Sequence, residues 1–306
     1  MNGRLFYYLK KTKKELSSRG AGAVAGDAWS FLIRRRFGLQ FLFESFEYCV
    51  LARFRDEQKT IVDVLKNDLI LSKRVLIYAN YDSGSCVLPH VVEQLTVFHR
   101  AGYSVIFVST SPKFFPDEFT KIENLVAVAI HRKNVGYDFT SWKVGFSFIA
   151  KTAPSLQSLV LMNDSCLGPF FDFAPLLEKM FVARESVFGL SKSDEIAEHI
   201  QSYFYHFGGE VLRAGVVAGF FDRIRVLNTK WGIVRYFEIG SSRFLASRGI
   251  ALQALVDAAN PDVKAKMDGA GISEPTREPL ASEWVKTRVN PFYKRSNLKS
   301  GQEVRF

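Results

Sequence analysis

In the stretch Arg74-Val75-Leu76-Ile77-Tyr78-Ala79, apolar residues follow one another without the polar alternation of a half-exposed strand. Such a run is typical of a parallel β-strand that is buried on both faces. Apolar residues then recur at helical spacing between Val87 and Phe98, and Gly102 is placed to end that helix before a second strand at 103–109. The pattern predicts a strand–helix–strand unit with parallel strands.

Strands and helices continue to alternate further along the chain. The pattern predicts a third strand at 125–130, a helix at 139–150 and a fourth strand at 159–162, followed by a strand at 187–190 and a helix at 210–222. This alternation is typical of an α/β fold of the Rossmann type, with a mostly parallel sheet flanked by helices. Ligands of such sheets bind beyond the carboxyl ends of the strands, where the polar clusters of this sequence also lie.

The composition is that of a globular protein. The 306 residues are 47% hydrophobic and 24% charged, and a chain of this length can bury a substantial core. Three cysteines without metal-ligand spacing predict neither a disulfide framework nor a zinc site, which fits a reducing cytoplasm. Because no apolar run is long enough to span a bilayer and no signal peptide is apparent, we expect a soluble or peripheral protein on the cytoplasmic side of the membrane.

Positive charge is concentrated near the N-terminus. The net charge of the chain is +10, and its first 40 residues carry nine Lys or Arg against two acidic residues. Aromatic and apolar residues lie between these charges, so the segment has two interpretations. It is either an ordinary solvated face or a strip that lies on an anionic membrane surface. Nucleic acid is not expected as a partner, because no nucleic-acid-binding motif accompanies the charge.

Three regions are predicted along the chain. Residues 1–71 form a basic helical N-terminal extension, for which a membrane-peripheral role is one interpretation. Residues 72–255 form the α/β domain. Residues 256–306 form a C-terminal extension, in which Pro261, Pro275, Pro279 and Pro291 break any long element.

The first polar cluster lies between the third strand and the helix that follows it. Its members are Arg132, Lys133, Asn134, Gly136, Tyr137, Asp138 and Lys143. The glycine permits a tight turn. The basic side chains and the free N–H groups of a helix N-terminus can bring positive charge to a diphosphate. The alternative for Asp138 is a simple helix cap.

The second cluster is Asn163-Asp164-Ser165, at the carboxyl end of the fourth strand. One carboxylate there can hold a divalent cation, Mg²⁺ or Mn²⁺, which bridges two phosphates and neutralises charge on a departing diphosphate. The alternative is an Asx turn in which Asp164 bonds to its own backbone and Gly168-Pro169 ends the strand. Taken alone, the cluster favours the turn.

The order and spacing of these motifs resemble the rhamnan synthesis protein F family over residues 72–255. The matching residues are Arg132, Asn134, Gly136, Tyr137, Asp138, Ser141-Trp142-Lys143, Asn163-Asp164-Ser165, Gly168-Pro169 and His199-x-Gln201-Ser202-Tyr203-Phe204. The same stretch is similar, more distantly, to family 2 glycosyltransferases of the GT-A fold. In that fold an Asn-x-Gly turn follows the third strand and a DxD-type motif ends the fourth.

The resemblance implies a glycosyltransferase that adds a deoxysugar, typically L-rhamnose from dTDP-rhamnose, to a lipid-linked polysaccharide or O-antigen precursor, with inversion. Asn163 and Ser165 stand where the family 2 motif has its aspartates, which leaves Asp164 as the motif's one charge and leaves the metal requirement open. Without a metal, Arg132, Lys133 or Lys143 can stabilise the leaving diphosphate. Each is equally able to be a surface charge.

Other residues complete the expected site. Asn80-Tyr81-Asp82, at the end of the first strand, are placed to contact a nucleotide base and ribose, or to form a turn. The family motif His199-x-Gln201-Ser202 implies substrate contact, with His199 bonding a phosphate or serving a structural role. The aromatic residues from Tyr203 to Phe207 are expected in the core.

An inverting transferase also needs a carboxylate that takes the proton from the acceptor hydroxyl. Glu238 resembles a family position just before a helix and is the residue proposed for this role, with a helix-start carboxylate as the other interpretation. Asp138 and Asp194 are alternatives. We expect residues 134–138 and 163–165 to meet in space and to share one hollow large enough for a pyrophosphate.

Two other classes of protein are alternatives. A noncatalytic scaffold of the same fold, which binds glycan or partner enzymes, is suggested by the reduced acidic motif. A dinucleotide-dependent oxidoreductase is disfavoured, because the first strand runs into Asn80-Tyr81-Asp82-Ser83-Gly84-Ser85 and lacks the glycine-rich GxGxxG turn.

Overall fold

A computed structural model describes residues 38–68, 71–193, 197–256 and 290–295, together with positions 261, 265, 268 and 269. The predictions that concern the basic segment before residue 38, Asp194 and the tail after Arg295 lie outside these described residues. Within the described part of the chain, every helix is too short or too polar to cross a bilayer.

The elements follow the predicted alternation. The strands are β1 (Ile61–Asn67), β2 (Arg74–Asn80), β3 (Ser104–Ser109), β4 (Val128–Arg132), β5 (Ser158–Asn163), β6 (Cys166–Leu167), β7 (Ser186–Ser193), β8 (His199–Ile200), β9 (Phe204–Gly208), β10 (Ala251–Val256) and β11 (Tyr293–Lys294). The α-helices are α1 (residues 38–49), α2 (Pro89–Arg100), α3 (Pro116–Thr120), α4 (Tyr137–Ser147), α5 (Ala174–Val182), α6 (Gly209–Arg213), α7 (Val216–Asp222), α8 (Lys230–Ile233) and α9 (Gly240–Ser247). A π-helical segment, Val234–Ile239, joins α8 to α9, and short 3₁₀ helices lie at Leu51–Phe54, Gln58–Thr60 and Ala153–Ser155.

One large sheet organises the fold. Its strand order is β1-β4-β3-β2-β5-β9-β7-β10, and β8 pairs with β7. The pairs β4–β3, β3–β2, β2–β5 and β7–β10 are parallel, whereas β9 is antiparallel to both β5 and β7. Six of the nine strands therefore run in the same direction. The predicted α/β fold, with a mostly parallel sheet flanked by helices, is confirmed.

Strand β2 lies at the centre of the parallel part of the sheet. It pairs with β3 on one side and β5 on the other, so the strand order reverses there. In open α/β sheets, ligands bind in the crevice at such a reversal, beyond the carboxyl ends of the strands. The end of β2 carries Asn80 and the end of β5 carries Asn163, and these two ends define the location of the site.

The continuous apolar run of β2 is explained by two cores, one on each face of the sheet. Ile77 packs in the core that contains Trp142 of α4, while Tyr78 packs in the core that contains Phe98 of α2. Successive side chains of a strand point to opposite faces, so both faces require apolar residues. Each fully buried side chain of this kind contributes about 1.5–3 kcal/mol, which favours this strand in the sheet interior.

The fold includes strands on both sides of the predicted 72–255 domain, β1 in the large sheet and β11 in a separate two-stranded sheet. Strand β1, which falls in the predicted helical extension, pairs antiparallel with β4 at the sheet edge. Strand β11, in the predicted C-terminal extension, pairs with β6, and the adjoining Phe292 is buried. An exposed edge strand and a two-residue strand lack the apolar run that marks a buried strand, so the sequence did not reveal them.

Several element boundaries differ from the predictions, and two of these differences have a clear physical cause. The helix expected at 210–222 is two helices, because Gly215 adopts a left-handed conformation with φ of 69° between them. The third strand begins at Val128 rather than at Leu125, because the N–H of Leu125 donates to the carbonyl of Ile122 in a turn.

Candidate active site

Asp164 connects the carboxyl ends of the two central strands. It follows β5 directly, and its Oδ2 accepts hydrogen bonds from Nδ2 of Asn80 at 3.1 Å and from the backbone N–H of Tyr81 at 3.0 Å. The side chain of Asn80 is in turn held by the Ser109 hydroxyl, which donates to its Oδ1 at 3.3 Å. These bonds fix the Asp164 carboxylate at the point where the strand order reverses.

An open cleft of about 460 Å³ lies beside this carboxylate. Its walls are formed by Tyr81, Asp82, Ser83, Asp164, Ser165, Lys294 and Arg295. Nη1 of Arg295 is 3.8 Å from Oδ2 of Asp164, and it also lies 3.4 Å from the Asp164 carbonyl oxygen. The cleft thus brings two acidic and two basic side chains together.

The Asp164 carboxyl titrates near neutral pH. Burial raises its pKa from the usual acidic range to about 7, and the nearby Asp138 adds to the increase. The N–H of Tyr81 and the guanidinium of Arg295 favour the ionised form and oppose the rise. A carboxyl group with this pKa can exchange a proton at the pH of a cell.

The two predicted loops meet at Asn163. Its Nδ2 donates to Oδ2 of Asp138 at 2.8 Å, which joins the start of α4 to the end of β5. Burial raises the pKa of Asp138 to about 6, against the opposing effects of Asn163, Lys294 and Arg132. Oδ1 of Asn163 accepts from the N–H of Ser165 at 3.1 Å, so the Asx turn at this site is made by Asn163.

A second, smaller hollow of about 280 Å³ adjoins the cleft. It is lined by Val62, Tyr81, Thr110, Ser111, Pro112, His131, Arg132, Lys133 and Asn134. Tyr81, whose side chain is 42% exposed, lines both spaces and forms their common wall. The sequence predicted one hollow shared by the two loops, whereas the structure has two adjoining hollows, with Asn134 in one and Asp164 in the other.

Arg132 is not a cleft residue, although the sequence suggested it as a diphosphate ligand. The residue is fully buried, and its Nε donates to Oγ1 of Thr60 at 3.1 Å and its Nη1 to Oγ of Ser141 at 2.8 Å. Its Nη2 donates to the Val135 carbonyl. Burial lowers the pKa of Arg132 to about 10, against the opposing effect of Asp138. The guanidinium therefore stabilises the turn that follows β4.

Lys143 also points away from the cleft. Its Nζ donates to the Ile224 carbonyl at 2.8 Å and lies 3.1 Å from Oε1 of Glu57. Lys143 comes five residues after Asp138 on α4, which places the two side chains about 140° apart around the helix axis. The helix that directs Asp138 toward Asn163 therefore directs Lys143 elsewhere. The third basic candidate, Lys133, is exposed and lines the smaller hollow.

The turn before α4 depends on Gly136, and Gly102 offers a matched comparison. Both glycines have positive φ, +76° and +79°, a left-handed conformation that is about 1–2 kcal/mol less favourable for alanine. The space around them differs: a Cβ on Gly102 would meet nothing within 4 Å, whereas one on Gly136 would lie 2.1 Å from Oγ1 of Thr140. We expect Gly136→Ala to destabilise the protein by about 1–3 kcal/mol more than Gly102→Ala in chemical denaturation, because of this overpacking. Equal losses of stability from the two substitutions would show that Gly136 is not closely packed against Thr140.

The His199 motif lies around Glu238. Nε2 of His199 is 3.5 Å from Oε1 of Glu238, and its Nδ1 lies 2.7 Å from the Ala197 carbonyl oxygen. The N–H of Ser202 donates to the same Glu238 oxygen at 3.3 Å. Gln201 is buried, and its side chain accepts a bond from the hydroxyl of Ser191. The structure thus joins the motif to Glu238, at a position that does not line the cleft.

The Glu238 carboxylate is held in its charged form. Burial alone would raise its pKa, but His199, Lys294 and the N–H of Ser202 together outweigh burial and lower it below the usual value. Lys294 interacts electrostatically with Asp138 as well. The ammonium of Lys294 is therefore the positive group that links the Glu238 motif to the cleft.

Lys294 and Arg295 are the two basic residues of the cleft, and the sequence did not identify them. Strand β11 pairs Lys294 with Cys166 of β6, and the N–H of Arg295 donates to the carbonyl of Ser165 at 2.9 Å. The carbonyl of Pro291 accepts a hydrogen bond from the N–H of Phe170, which holds the same segment just before β11. A signal in the sequence is the aromatic pair beside them, Phe292 and Tyr293, both of which are buried.

The cleft offers few ligands for a divalent cation. Among the described residues, no three His, Cys, Asp or Glu side chains come together. Oδ2 of Asp164 already accepts two hydrogen bonds, and Oδ2 of Asp82 accepts one from the N–H of Cys86 at 3.1 Å. Lys294 and Arg295 line the same space and would repel a cation. These residues fit Mg²⁺ or Mn²⁺ poorly, and the sequence left the metal requirement open.

Comparison with known sequences identifies one family and several curated relatives. The rhamnan synthesis protein F model matches residues 105–303. The protein y4gN of Sinorhizobium fredii is 27% identical over 166 residues, which cover 53% of this chain and 43% of that protein. The virulence protein VirA of Vibrio anguillarum is 26% identical over 132 residues, 42% of each chain. The chain thus spans less than half the length of these relatives.

Two solved structures show a weaker likeness. One, from Desulfovibrio desulfuricans G20 and described as a nucleotide-diphospho-sugar transferase, is 12% identical, with a TM-score of 0.37 and coverage of 71% of this chain and 98% of that chain. The other, the bifunctional glycosyltransferase WbbM, is 10% identical, with a TM-score of 0.33 and coverage of 55% and 38%. TM-scores this low do not by themselves establish a shared fold.

Proposed function

Because the chain belongs to the rhamnan synthesis protein F family, we propose that it is a glycosyltransferase of polysaccharide synthesis that uses a nucleotide-diphosphate sugar. The proposed donor is dTDP-rhamnose, and the proposed acceptor is a lipid-linked glycan on the cytoplasmic side of the membrane. The observation that carries the proposal is the pair of adjoining hollows at the reversal of strand order, with Tyr81 between them.

The two hollows suit the two parts of a sugar nucleotide. We assign the nucleoside to the smaller hollow, where Tyr81 and His131 offer ring surfaces and the exposed Asn134 offers polar atoms. The diphosphate and the sugar are assigned to the larger cleft, where Lys294 and Arg295 provide positive charge. Phosphate oxygens bind such side chains strongly, and the charge that develops on the leaving diphosphate increases the attraction during the reaction.

In the proposed reaction, an acceptor hydroxyl attacks the anomeric carbon while the bond from that carbon to the diphosphate breaks. The hydroxyl proton passes to Asp164, and the nucleoside diphosphate leaves beside the two basic residues. A general base works best when its pKa lies near the working pH, and that of Asp164 is about 7. Glu238, which the sequence favoured, has a lowered pKa and lies outside the cleft wall, so we assign it to positioning Lys294.

The donor is tested with the purified chain and a lipid-linked acceptor. We expect release of nucleoside diphosphate from dTDP-rhamnose, and less release from UDP-linked and GDP-linked sugars. Turnover with a different sugar nucleotide would support the assignment as a transferase but would show that the donor is not dTDP-rhamnose. Binding of a donor without turnover would instead favour the noncatalytic scaffold, which the loss of acidic residues at Asn163 and Ser165 suggests.

The positive charge of Lys294 and Arg295 leads to a prediction about metal. We expect a chelator such as EDTA to leave the transfer rate within about threefold, because fixed cations stabilise the leaving group without a metal. The rate is measured with metal-free protein, with EDTA and with added Mg²⁺ or Mn²⁺. Complete loss with EDTA and recovery with Mn²⁺ would contradict the role given to these two residues.

A further inference from the structure

Helix α1 buries acidic residues and exposes apolar ones, the opposite of most surface helices. Glu47 is buried, and its Oε1 lies 2.7 Å from Nη1 of Arg55. Its other oxygen accepts from the Thr229 hydroxyl at 2.9 Å. Glu44 is also buried, 3.5 Å from Nη1 of Arg235. The charged face of α1 is therefore the face that holds the helix against the protein body.

The opposite face of α1 is apolar and exposed. The side chains of Leu39, Leu42, Phe43 and Phe46 are 61%, 62%, 54% and 51% exposed, and Val50 just after the helix is 39% exposed. These positions follow the spacing of one helical face, and no charged side chain interrupts them. Contiguous exposed apolar surface of this kind marks an interaction site with a membrane or another protein.

Charge favours a membrane over another protein. The 37 residues that lead directly into α1 contain nine Lys or Arg against two acidic residues. A helix that places Phe and Leu in the headgroup region, joined to basic sequence, is the arrangement by which peripheral proteins bind anionic lipid. A second copy of this chain would bring the same positive charge to the contact and would be repelled.

We propose that the apolar face of α1, formed by Leu39, Leu42, Phe43, Phe46 and Val50, inserts into the surface of an anionic lipid bilayer. The site is separate from the cleft, and it does not depend on the reaction that occurs there. Membrane attachment through this face would keep the chain at the surface where the proposed lipid-linked acceptor lies.

The experiment compares binding of the full chain to phosphatidylcholine vesicles with and without phosphatidylglycerol, in the absence of any sugar nucleotide. The test variant is Phe43→Gln/Phe46→Gln. The matched control is Val182→Gln, which changes a side chain that is 74% exposed on α5. We expect the wild type to sediment with the anionic vesicles, the double variant to bind at least about tenfold more weakly, and the control to bind as the wild type does.

Thermal unfolding and gel filtration complete the test. The replaced side chains are exposed, so we expect the double variant to unfold at the temperature of the wild type. Three results would overturn the proposal. These are no binding of the wild type to anionic vesicles, equal binding of the double variant, and a wild-type dimer that becomes a monomer in the double variant, which would assign the face to a second copy.

Discussion

Asp164→Asn should lower the transfer rate by about 10²–10⁴-fold, the contribution that a positioned general base usually makes. Asparagine has the shape of aspartate, and its amide oxygen can still accept the bonds from Nδ2 of Asn80 and the N–H of Tyr81. It cannot take a proton. The rate of the wild type should rise with pH through about 7, where the Asp164 carboxyl ionises. Both are measured as nucleoside diphosphate release.

The same substitution should stabilise the fold at neutral and higher pH. Burial raises the pKa of Asp164 in the folded protein, so the folded state holds this proton more tightly than the unfolded state. The resulting stability is complete below the unfolded pKa and is lost as the pH rises through about 7. We expect the Asn variant to melt at least about 2 °C above the wild type at about pH 8, with a smaller difference at about pH 5.

The control for this prediction is Asp117→Asn, which makes the same chemical change at an exposed position on α3. It should leave both the transfer rate and its pH dependence unchanged. A rate within tenfold of wild type for the Asp164 variant would place the base elsewhere, with Asp138 or Glu238 as the next candidates. A large loss of stability would instead show that the carboxylate is needed mainly to hold the turn.

Lys294→Gln/Arg295→Gln should lower kcat/KM by about 10²–10³-fold, because a fixed donor to a developing anion contributes on this scale. The variant should also bind free nucleoside diphosphate more weakly, because the phosphates lose two positively charged partners. Calorimetric titration with the diphosphate separates this binding effect from the loss of turnover. The effect on turnover should be the larger of the two, because negative charge increases as the diphosphate leaves.

The matched control is Lys151→Gln, which removes a positive charge at an exposed position. Lys151 precedes the amino end of β5, whereas the cleft lies at the carboxyl end of that strand. The substitution should leave binding and turnover unchanged. If the double variant and this control behaved alike, the cleft between Asp164 and Arg295 would not be the diphosphate site. The outcome does not depend on which sugar is transferred, because the diphosphate is common to the candidate donors.

The central strands could be predicted from the sequence because their determinants are local. β2 and β5 are buried on both faces, so each required an unbroken apolar run. The polar residues that follow them could also be recognised, and Asn163 does join Asp138 as expected. The edge strand β1 escaped prediction, because an exposed strand is not marked by an apolar run.

The basic residues show where prediction from sequence ends. Arg132, Lys143 and Arg295 have the same properties in a sequence, but the first is buried, the second pairs with Glu57 on another face, and only the third reaches the cleft. The direction of a long side chain depends on the partners that surround it after folding. Most of these partners lie far away in the sequence, among them Thr60 for Arg132, Ile224 for Lys143 and Asp164 for Arg295, so local patterns carry little information about them.

The sequence by itself determined the α/β sheet and the polar loops at the carboxyl ends of its strands, because periodicity and burial act over neighbouring residues. The tertiary structure alone decided which charges face the cleft. Arg295 lies 131 residues after Asp164 in the chain, and it reaches that carboxylate because the two-residue strand β11 pairs with β6. A two-residue strand leaves no periodic signal in the sequence. Only the folded chain brings Asp164 and Arg295 together.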